Sequence, residues 1–468
     1  MKRRAFLGGL AAGAMSAILP RRLGLAGAKP RPPNLIVVLA DDLGWRDAGF
    51  AGSVFLRTPH LDRLAARGAT FTQAYAAAPN CAPTRACLLT GQYTPRHGVY
   101  TVVDDSHTPG LPHHRVMASP SRAELDTDAE TIAEVLSRRG YATGMVGMWN
   151  LGRGRRGPCT PTGQGFGSFV QPRDLGFERD AYRNAEGEYL TDRMTDAAVE
   201  FVRRSRSGPF FLYLAPHAIH EPHDPKPELL AACSKRPGVS DRQAAYAATV
   251  EALDANVGRL WAEIESLGLA DETYLFFTSD NGGTHRHTVP LRGGKGELYE
   301  GGIRVPAFAI GPEVRAGQTC REPVSSIDLF PTLAGLAGAP APSVDGADLT
   351  SMLHRGERLA REALFWHFPS YVGRGTPSSA IRAGDWKLIE FFETGRVELY
   401  NLADDPGEAN DLSAARPELA RRMYARLRAW QTQTRAPRPT EPNPAYDPAA
   451  RPARGRNRGT GRHEEVSP

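Results

Sequence analysis

Short uninterrupted apolar runs alternate along the chain with longer amphipathic stretches. Leu35-Ile36-Val37-Val38-Leu39 is apolar without a break, the pattern of a strand covered on both faces in a parallel sheet. Tyr141 to Gly147, Phe210 to Leu214 and Tyr274 to Thr278 predict further strands of this kind. Each follows a stretch that predicts a helix, over Ala129 to Arg139, Thr191 to Arg204 and Tyr246 to Leu267. Thr58-Pro59 opens another helix with a capping residue and a first-turn proline; Leu61, Leu64 and Ala65 supply its apolar stripe, and Gly68 closes it. Strand and helix in alternation predict an α/β fold: a large, mostly parallel, doubly wound sheet sandwiched by helices.

Every predicted strand runs directly into polar residues: Asp41-Asp42, then Met148 to Asn150, then His217 and His220, then Asp280-Asn281. Open α/β sheets hold their ligands beyond the carboxyl ends of the strands, so groups far apart in sequence are expected to converge there. Asp41, Asp42, Asp280 and Asn281 form an all-oxygen set suited to Ca²⁺ or Mg²⁺ and not to zinc. Taken singly, each pair reads equally well as a cap or an ordinary turn.

After about residue 355 the texture changes to short β-like pieces, Ala380 to Phe392 and Val397 to Asn401, and an amphipathic stretch from Pro417 to Thr432. The partition that follows is a leader over 1–28, a main domain over 32–355, a smaller C-terminal α+β subdomain over 356–434, and a basic tail rich in proline and arginine over 435–468. That tail lacks the apolar content to offset its ordering entropy and is expected to be extended or disordered. The leader joins Lys2-Arg3-Arg4 to a short apolar run and the small-residue site Ala26-Gly27-Ala28. It reads as a twin-arginine export signal, with no stable membrane anchor, and places the protein in the periplasm or outside the cell.

The 468 residues carry a net charge of +5, but Lys2, Arg3, Arg4, Arg21 and Arg22 account for all of it and the tail adds seven arginines against four acids. The body between them is about three charges negative, which argues against nucleic acid as a partner. Five cysteines, Cys81, Cys87, Cys159, Cys233 and Cys320, are too few and too scattered for a disulfide framework or a paired zinc site. Cys81 precedes Pro83 and the short helical run that Gly91 ends. It therefore lies at a helix N-terminus, where backbone N–H groups favour an anion, with Arg85 one turn on.

Thr58-Pro59-His60-Leu61-Asp62-Arg63-Leu64, Asn80-Cys81-Ala82-Pro83-Thr84-Arg85-Ala86 and Leu89-Thr90-Gly91-Gln92-Tyr93 together resemble the signature region of the formylglycine-dependent sulfatases, members of the alkaline-phosphatase superfamily. The likeness runs from about Asn34 to Tyr446 and takes in Asp385-Trp386-Lys387 and Asp405-Pro406-Gly407-Glu408. It implies that Cys81 is oxidised to formylglycine (3-oxoalanine) by a formylglycine-generating enzyme. It also implies that Asp41, Asp42, Asp280 and Asn281, with position 81, hold the cation. Lys295, in Gly293-Gly294-Lys295-Gly296-Glu297-Leu298-Tyr299-Glu300, matches the family's sulfate-binding lysine. His220 matches the histidine that binds the ester and protonates the leaving oxygen; Arg85 and Asp280 complete the catalytic set. His217 and His223 read as supporting or surface residues.

The implied reaction is hydrolysis of a sulfate ester on a small molecule or glycan, after export of the folded protein through the Tat translocon. The same resemblance leaves open a phosphonate or phosphate diester hydrolase. One block departs from the family. Where sulfatases usually carry Gly-Lys-Trp-His-Leu-Gly, this chain has Gly147-Met148-Trp149-Asn150-Leu151-Gly152. Met148 offers only packing, and Asn150 forms hydrogen bonds but is no base near neutral pH. Three readings follow: a slow enzyme, an enzyme that recruits another group (His107, His113, His114 or Arg153), or a sulfated-glycan binder that no longer turns over.

Overall fold

The computed structural model describes residues 31–102, 110–152, 156–284, 288–340 and 342–451. The leader, His107, Arg153 and the end of the tail lie outside them. Among the described residues nine strands form one sheet: β1 (Asn34–Ala40), β2 (Ala69–Tyr75), β3 (Ala142–Gly147), β4 (Ser168–Val170), β5 (Phe210–Ala215), β6 (Thr273–Ser279), β7 (Arg304–Ile310), β8 (Gln318–Cys320) and β9 (Val324–Ser325). Their order is β4-β3-β5-β1-β6-β7-β2-β8, with β9 also paired to β2. The four strands expected from apolar runs, β1, β3, β5 and β6, lie side by side and parallel. Of the nine, only β7 runs against its neighbours, so the sheet is mostly parallel, as the sequence predicts.

β1 is buried along its whole length because helices cover both of its faces. Leu35, Val37 and Leu39 enter one core with the helices Cys81–Thr90, Ile132–Arg138 and Leu329–Leu336. Ile36, Val38 and Ala40 enter the other with Pro59–Ala66, Leu190–Ser205 and Asp241–Ser266. Each such aliphatic side chain contributes about 1.5–3 kcal/mol by leaving water, and a charge anywhere along the strand would face a core on one side of the sheet or the other. The helix at Pro59 starts where expected but not by the expected cap. The Thr58 hydroxyl donates to Asp62 and accepts from Gly49 N–H, and makes no capping bond to the helix backbone.

A second sheet, antiparallel throughout, comprises β10 (Leu364–Phe368), β11 (Ser378–Ala383), β12 (Trp386–Phe391) and β13 (Val397–Asn401). Gly384, at φ 58°, makes the turn that divides the run Ala380 to Phe392 into two strands. One face packs on the helix Pro417–Gln433 through Ile381, Leu388 and Leu399. The other carries Trp366, Phe368 and Ile389 against Tyr75, Leu298 and Ile303, which joins it to the segment that bears Lys295. Residues 435–451 contain turns, at Tyr446 N–H to Asn443 C=O and Ala450 N–H to Asp447 C=O, and are tied down: Met117 N–H donates to Glu441 C=O, and Asn443 Nδ2 donates to the carbonyls of Leu111 and His114. Among the described residues no helix is long and apolar enough to cross a membrane.

Candidate active site

Parallel register sets the site. Ala40 pairs with Ser279 and Gly147 with Ala215, so the residues that follow β1, β6, β3 and β5 leave the sheet along one edge. Neighbours on an extended strand point to opposite faces. Asp42 instead adopts φ 66°, a left-handed conformation that Asp tolerates better than most residues, and both carboxylates turn into the same space. Asn80 caps the helix Cys81–Thr90, its Oδ1 accepting from Cys81 N–H at 2.7 Å, and Cys81 Sγ lies 3.4 Å from Asp41 Oδ1 and 3.8 Å from Asp42 Oδ1. One ligand atom each from Asp41, Asp42, Cys81 and Asp280 falls within 4.8 Å of all the others.

The set is buried and heavily charged. Arg85, 0% exposed, donates Nη2 to Asp280 at 2.8 Å and Asp41 at 3.1 Å, and Nη1 to the Met148 carbonyl at 2.6 Å. The sequence suggests Arg85 as a substrate contact as well as a catalytic residue; in this structure its guanidinium bonds the two carboxylates and the Met148 carbonyl. Burial would raise the Asp41 carboxyl, but Arg85, then His220 and Lys295, hold it well below the usual carboxylate range. Burial, and then the charges of Asp41 and Asp42, push Asp280 up to about 7 against the pull of Arg85. Lys295 donates to Asp42 at 2.6 and 2.9 Å; burial opposes its charge, yet Asp42 and the neighbouring groups raise its pKa. Its loop is stitched to the site by Lys295 N–H to Gly283 C=O and Gly296 N–H to Pro79 C=O, both 2.8 Å. Gly283, at φ 79°, is packed so that a Cβ would meet the Asp42 carbonyl at 2.8 Å, so only glycine fits there.

This donor set fits a hard cation. Three carboxylates face two fixed cations, Arg85 and Lys295, which leaves an excess negative charge for a divalent ion to offset. Sulfur is the odd donor among oxygens. Burial and the adjacent Asp280 and Asp41 push the Cys81 thiol well up, so a free thiolate is disfavoured and a neutral oxygen substituent at this position suits the site better. Asn281 Nδ2 donates to Asp42 at 2.7 Å and Asp280 at 2.8 Å while its Oδ1 accepts from Gly283 N–H. The amide thus bridges two carboxylates, and its oxygen reaches a cation only by rotation of the group.

His220 Nε2 is 3.8 Å from Asp42 Oδ2, and its Nδ1 lies 2.6 Å from the Glu221 carbonyl, which makes Nδ1 the protonated nitrogen and turns Nε2 toward the cluster. Met148 and Asn150 lie beside the site and line a cavity of about 360 Å³ together with His217, Gln171 and Arg173. Asn150 takes φ 58°, which asparagine accommodates. His113, His114 and His223 do not join the cluster: His114 stacks on Tyr371 at 3.7 Å with His113 against it, and His223 packs on Tyr246. A larger hollow of about 520 Å³, lined by Arg46, Phe55 and Tyr246, includes no cluster residue. Sequence reasoning missed Tyr182, whose hydroxyl donates to the His220 carbonyl at 2.8 Å, and Ser279, whose Oγ accepts Leu43 N–H at 2.9 Å and shapes the turn after β1. Neither belongs to a motif; both are ordinary residue types until the fold brings them to the site.

A mixed sheet with its polar groups gathered beyond one edge, followed by a small antiparallel sheet, is the architecture of the alkaline-phosphatase-like hydrolases. Residues 33–339 match the Sulfatase family model, and residues 294–433 match the model described as N-sulphoglucosamine sulphohydrolase, C-terminal. Arylsulfatase A of Homo sapiens is 35% identical, over 86% of this chain and 88% of that protein. A sulfatase of Formosa agariphila is 33% identical, over 86% and 90%. The crystal structure of Ps i-CgsB in complex with k-i-k-neocarrahexaose superposes with a TM-score of 0.74 at 30% identity, covering 88% of this chain and 95% of that one. The chain belongs to the sulfatase family of the alkaline-phosphatase superfamily, and sulfate-ester hydrolysis is the activity that membership supports.

Proposed function

We propose that this protein hydrolyses sulfate esters at the cluster around Cys81, with Cys81 oxidised to formylglycine and a divalent cation, Ca²⁺ or Mg²⁺, held by Asp41, Asp42, Asp280 and Asn281. The observation that carries this reading is the convergence of three buried carboxylates and Cys81 within 4.8 Å of one another. When present, the hydrated aldehyde supplies an oxygen nucleophile and the cation polarises nucleophile and substrate oxygens. The protein's own residues do the rest. Asp280, gathered with Cys81 in the cluster, accepts a proton released at position 81. Arg85 fixes Asp41 and Asp280 and offsets their charge. Lys295 binds the sulfate oxygens, and His220, protonated on both ring nitrogens, delivers the Nε2 proton to the leaving alcohol.

The leader supports export to the periplasm or beyond by the twin-arginine route, with modification of Cys81 completed before translocation. The relative captured with a neocarrahexaose favours a sulfated carbohydrate as substrate. Met148 and Asn150 favour a second reading, a sulfated-glycan binder without turnover, because neither supplies a charge or a base at its position. One experiment separates the two. Protein made with a formylglycine-generating enzyme is digested and weighed for the aldehyde at position 81, then assayed on matched aryl sulfate and aryl phosphate diester. Aldehyde with preferential sulfate turnover supports the hydrolase. Unmodified Cys81 in every preparation, with no turnover, supports the binder, and preferential diester turnover points to the phosphonate or phosphate diester class.

A further inference from the structure

His217 takes no part in that chemistry, yet it is 3% exposed and neither ring nitrogen has a hydrogen-bond partner among the described residues. Buried polar groups are paired in the great majority of cases, because an unpaired one forfeits its hydration without return. Its ring is held by packing alone, between Tyr182 at 5.4 Å and His220 at 4.9 Å between centroids. The Tyr182 hydroxyl also anchors the backbone on either side, donating to the carbonyls of His217 and His220. The imidazole is therefore set in one orientation with both nitrogens left for something else.

His217 lines the 360 Å³ cavity. The cavity adjoins the cluster twice: through Met148, whose carbonyl accepts from Arg85, and through His217, whose ring lies against His220. Its remaining wall carries Asn150, Gln171, Arg173 and Asp180, planar polar groups of both signs. Arg179 and Glu178 add one charge of each kind, so the lining has no excess that would select a second anion. Burial draws the His217 pKa down to about 4 against the opposing pull of Asp41, which keeps the ring neutral with one donor and one acceptor. A hydroxyl has the same pair of functions.

We propose that His217 is a substrate-contacting residue that hydrogen-bonds a hydroxyl of the alcohol portion of the ester, and so selects polyhydroxylated, sugar-like sulfates over aryl sulfates. This rests on the sulfate-ester reading of the adjacent cluster, and it gives this chain a polar contact beside the position where Met148 and Asn150 supply no charge.

The test reads binding, in the full chain carrying Cys81→Ala. Inorganic sulfate and a panel of hexose monosulfates are titrated by calorimetry, with His217→Phe added in a second protein. The best-bound hexose sulfate is expected to weaken at least tenfold on His217→Phe, while inorganic sulfate stays within twofold. Equal weakening of both, no weakening of either, or a panel in which no hexose sulfate binds tighter than inorganic sulfate would each overturn the assignment. Thermal midpoints verify folding, and His217→Ala carries the same expectation should the phenylalanine variant fail to fold. Because every arm reads binding, the role of His217 is decided whether or not the unaltered enzyme turns over an aryl sulfate, the measurement on which hydrolysis itself depends.

Discussion

Lys387 and Lys295 each face carboxylates in the interior, but their surroundings are balanced differently. Lys387 lies 2.9 Å from both Glu300 and Glu408, with all three side chains 0% exposed. Glu300 also accepts from the Tyr75 hydroxyl and faces Arg304, while Glu408 accepts Glu300 N–H. Fixed cations match fixed anions there, and the group links the second sheet to the segment after Lys295. Around Lys295 the charges do not cancel: Asp41, Asp42 and Asp280 outnumber Arg85 and Lys295. A closed buried network serves the fold, and an open one serves a ligand.

The largest separation of the two clusters is expected in turnover. Cys81→Ala and Asp280→Asn should each lower kcat/KM by about 10⁴-fold or more, as loss of a nucleophile or its partner does, with the thermal midpoint of Cys81→Ala near that of the unaltered protein. Lys387→Met should do the reverse. Removing the cation from between two buried carboxylates costs about 3–5 kcal/mol, read as a lower denaturant midpoint, while the folded fraction keeps its kcat. A Lys387→Met protein that unfolds at the parent midpoint would refute the distinction.

That distinction is only half legible in the sequence. β1, β3, β5 and β6 stand out because a central strand must be apolar on both faces, and their polar successors mark the site. β2 (Ala69–Tyr75) lies near the edge of the sheet, alternates in burial and carries an irregularity between Phe71 and Ala74 in its pairing with β7, so no continuous run betrays it. β10 escapes notice beside the divided run that follows it. Asp41, Asp42, Asp280 and Lys295 can be named from position and resemblance. The orientation of Arg85 and the unpaired ring of His217 cannot, because each depends on what packs behind a side chain and not on the residue type.

The unbalanced cluster should also respond to a cation where the balanced one does not. After chelation, Ca²⁺ at a hundredfold excess over its Kd should raise stability by about 2.7 kcal/mol, seen as a higher thermal midpoint. Asp280→Asn should remove most of that rise, whereas an equal rise in both proteins would place the ion elsewhere. Mg²⁺ titrated in parallel should show a smaller shift if the site favours the larger ion.

The smallest effect lies in pH. Asp280 has its carboxyl raised from 3.8 to about 7 by burial and by Asp41 and Asp42, so in the cation-free protein the folded state holds a proton that the unfolded chain has released. Between about pH 4 and pH 7 Asp280 therefore binds more proton in the folded state, and its contribution to stability falls as pH rises. Asp41 works in the opposite sense, but its window lies below its ordinary value of 3.8, outside this range. Asp47 and Asp254, raised to about 6, and Glu408, raised to about 7, add to this downward slope, while His97, His217 and His367, drawn down by burial, oppose it up to about pH 6.5, so the share of Asp280 is read by difference. Asp280→Asn should flatten the slope, and saturating Ca²⁺ should flatten it in the parent by displacing the proton. The same competition makes the cation bind more tightly as pH rises toward 7. An affinity that does not change between pH 5 and pH 7 would mean that Asp280 is already ionised without the metal and that Arg85 alone neutralises it.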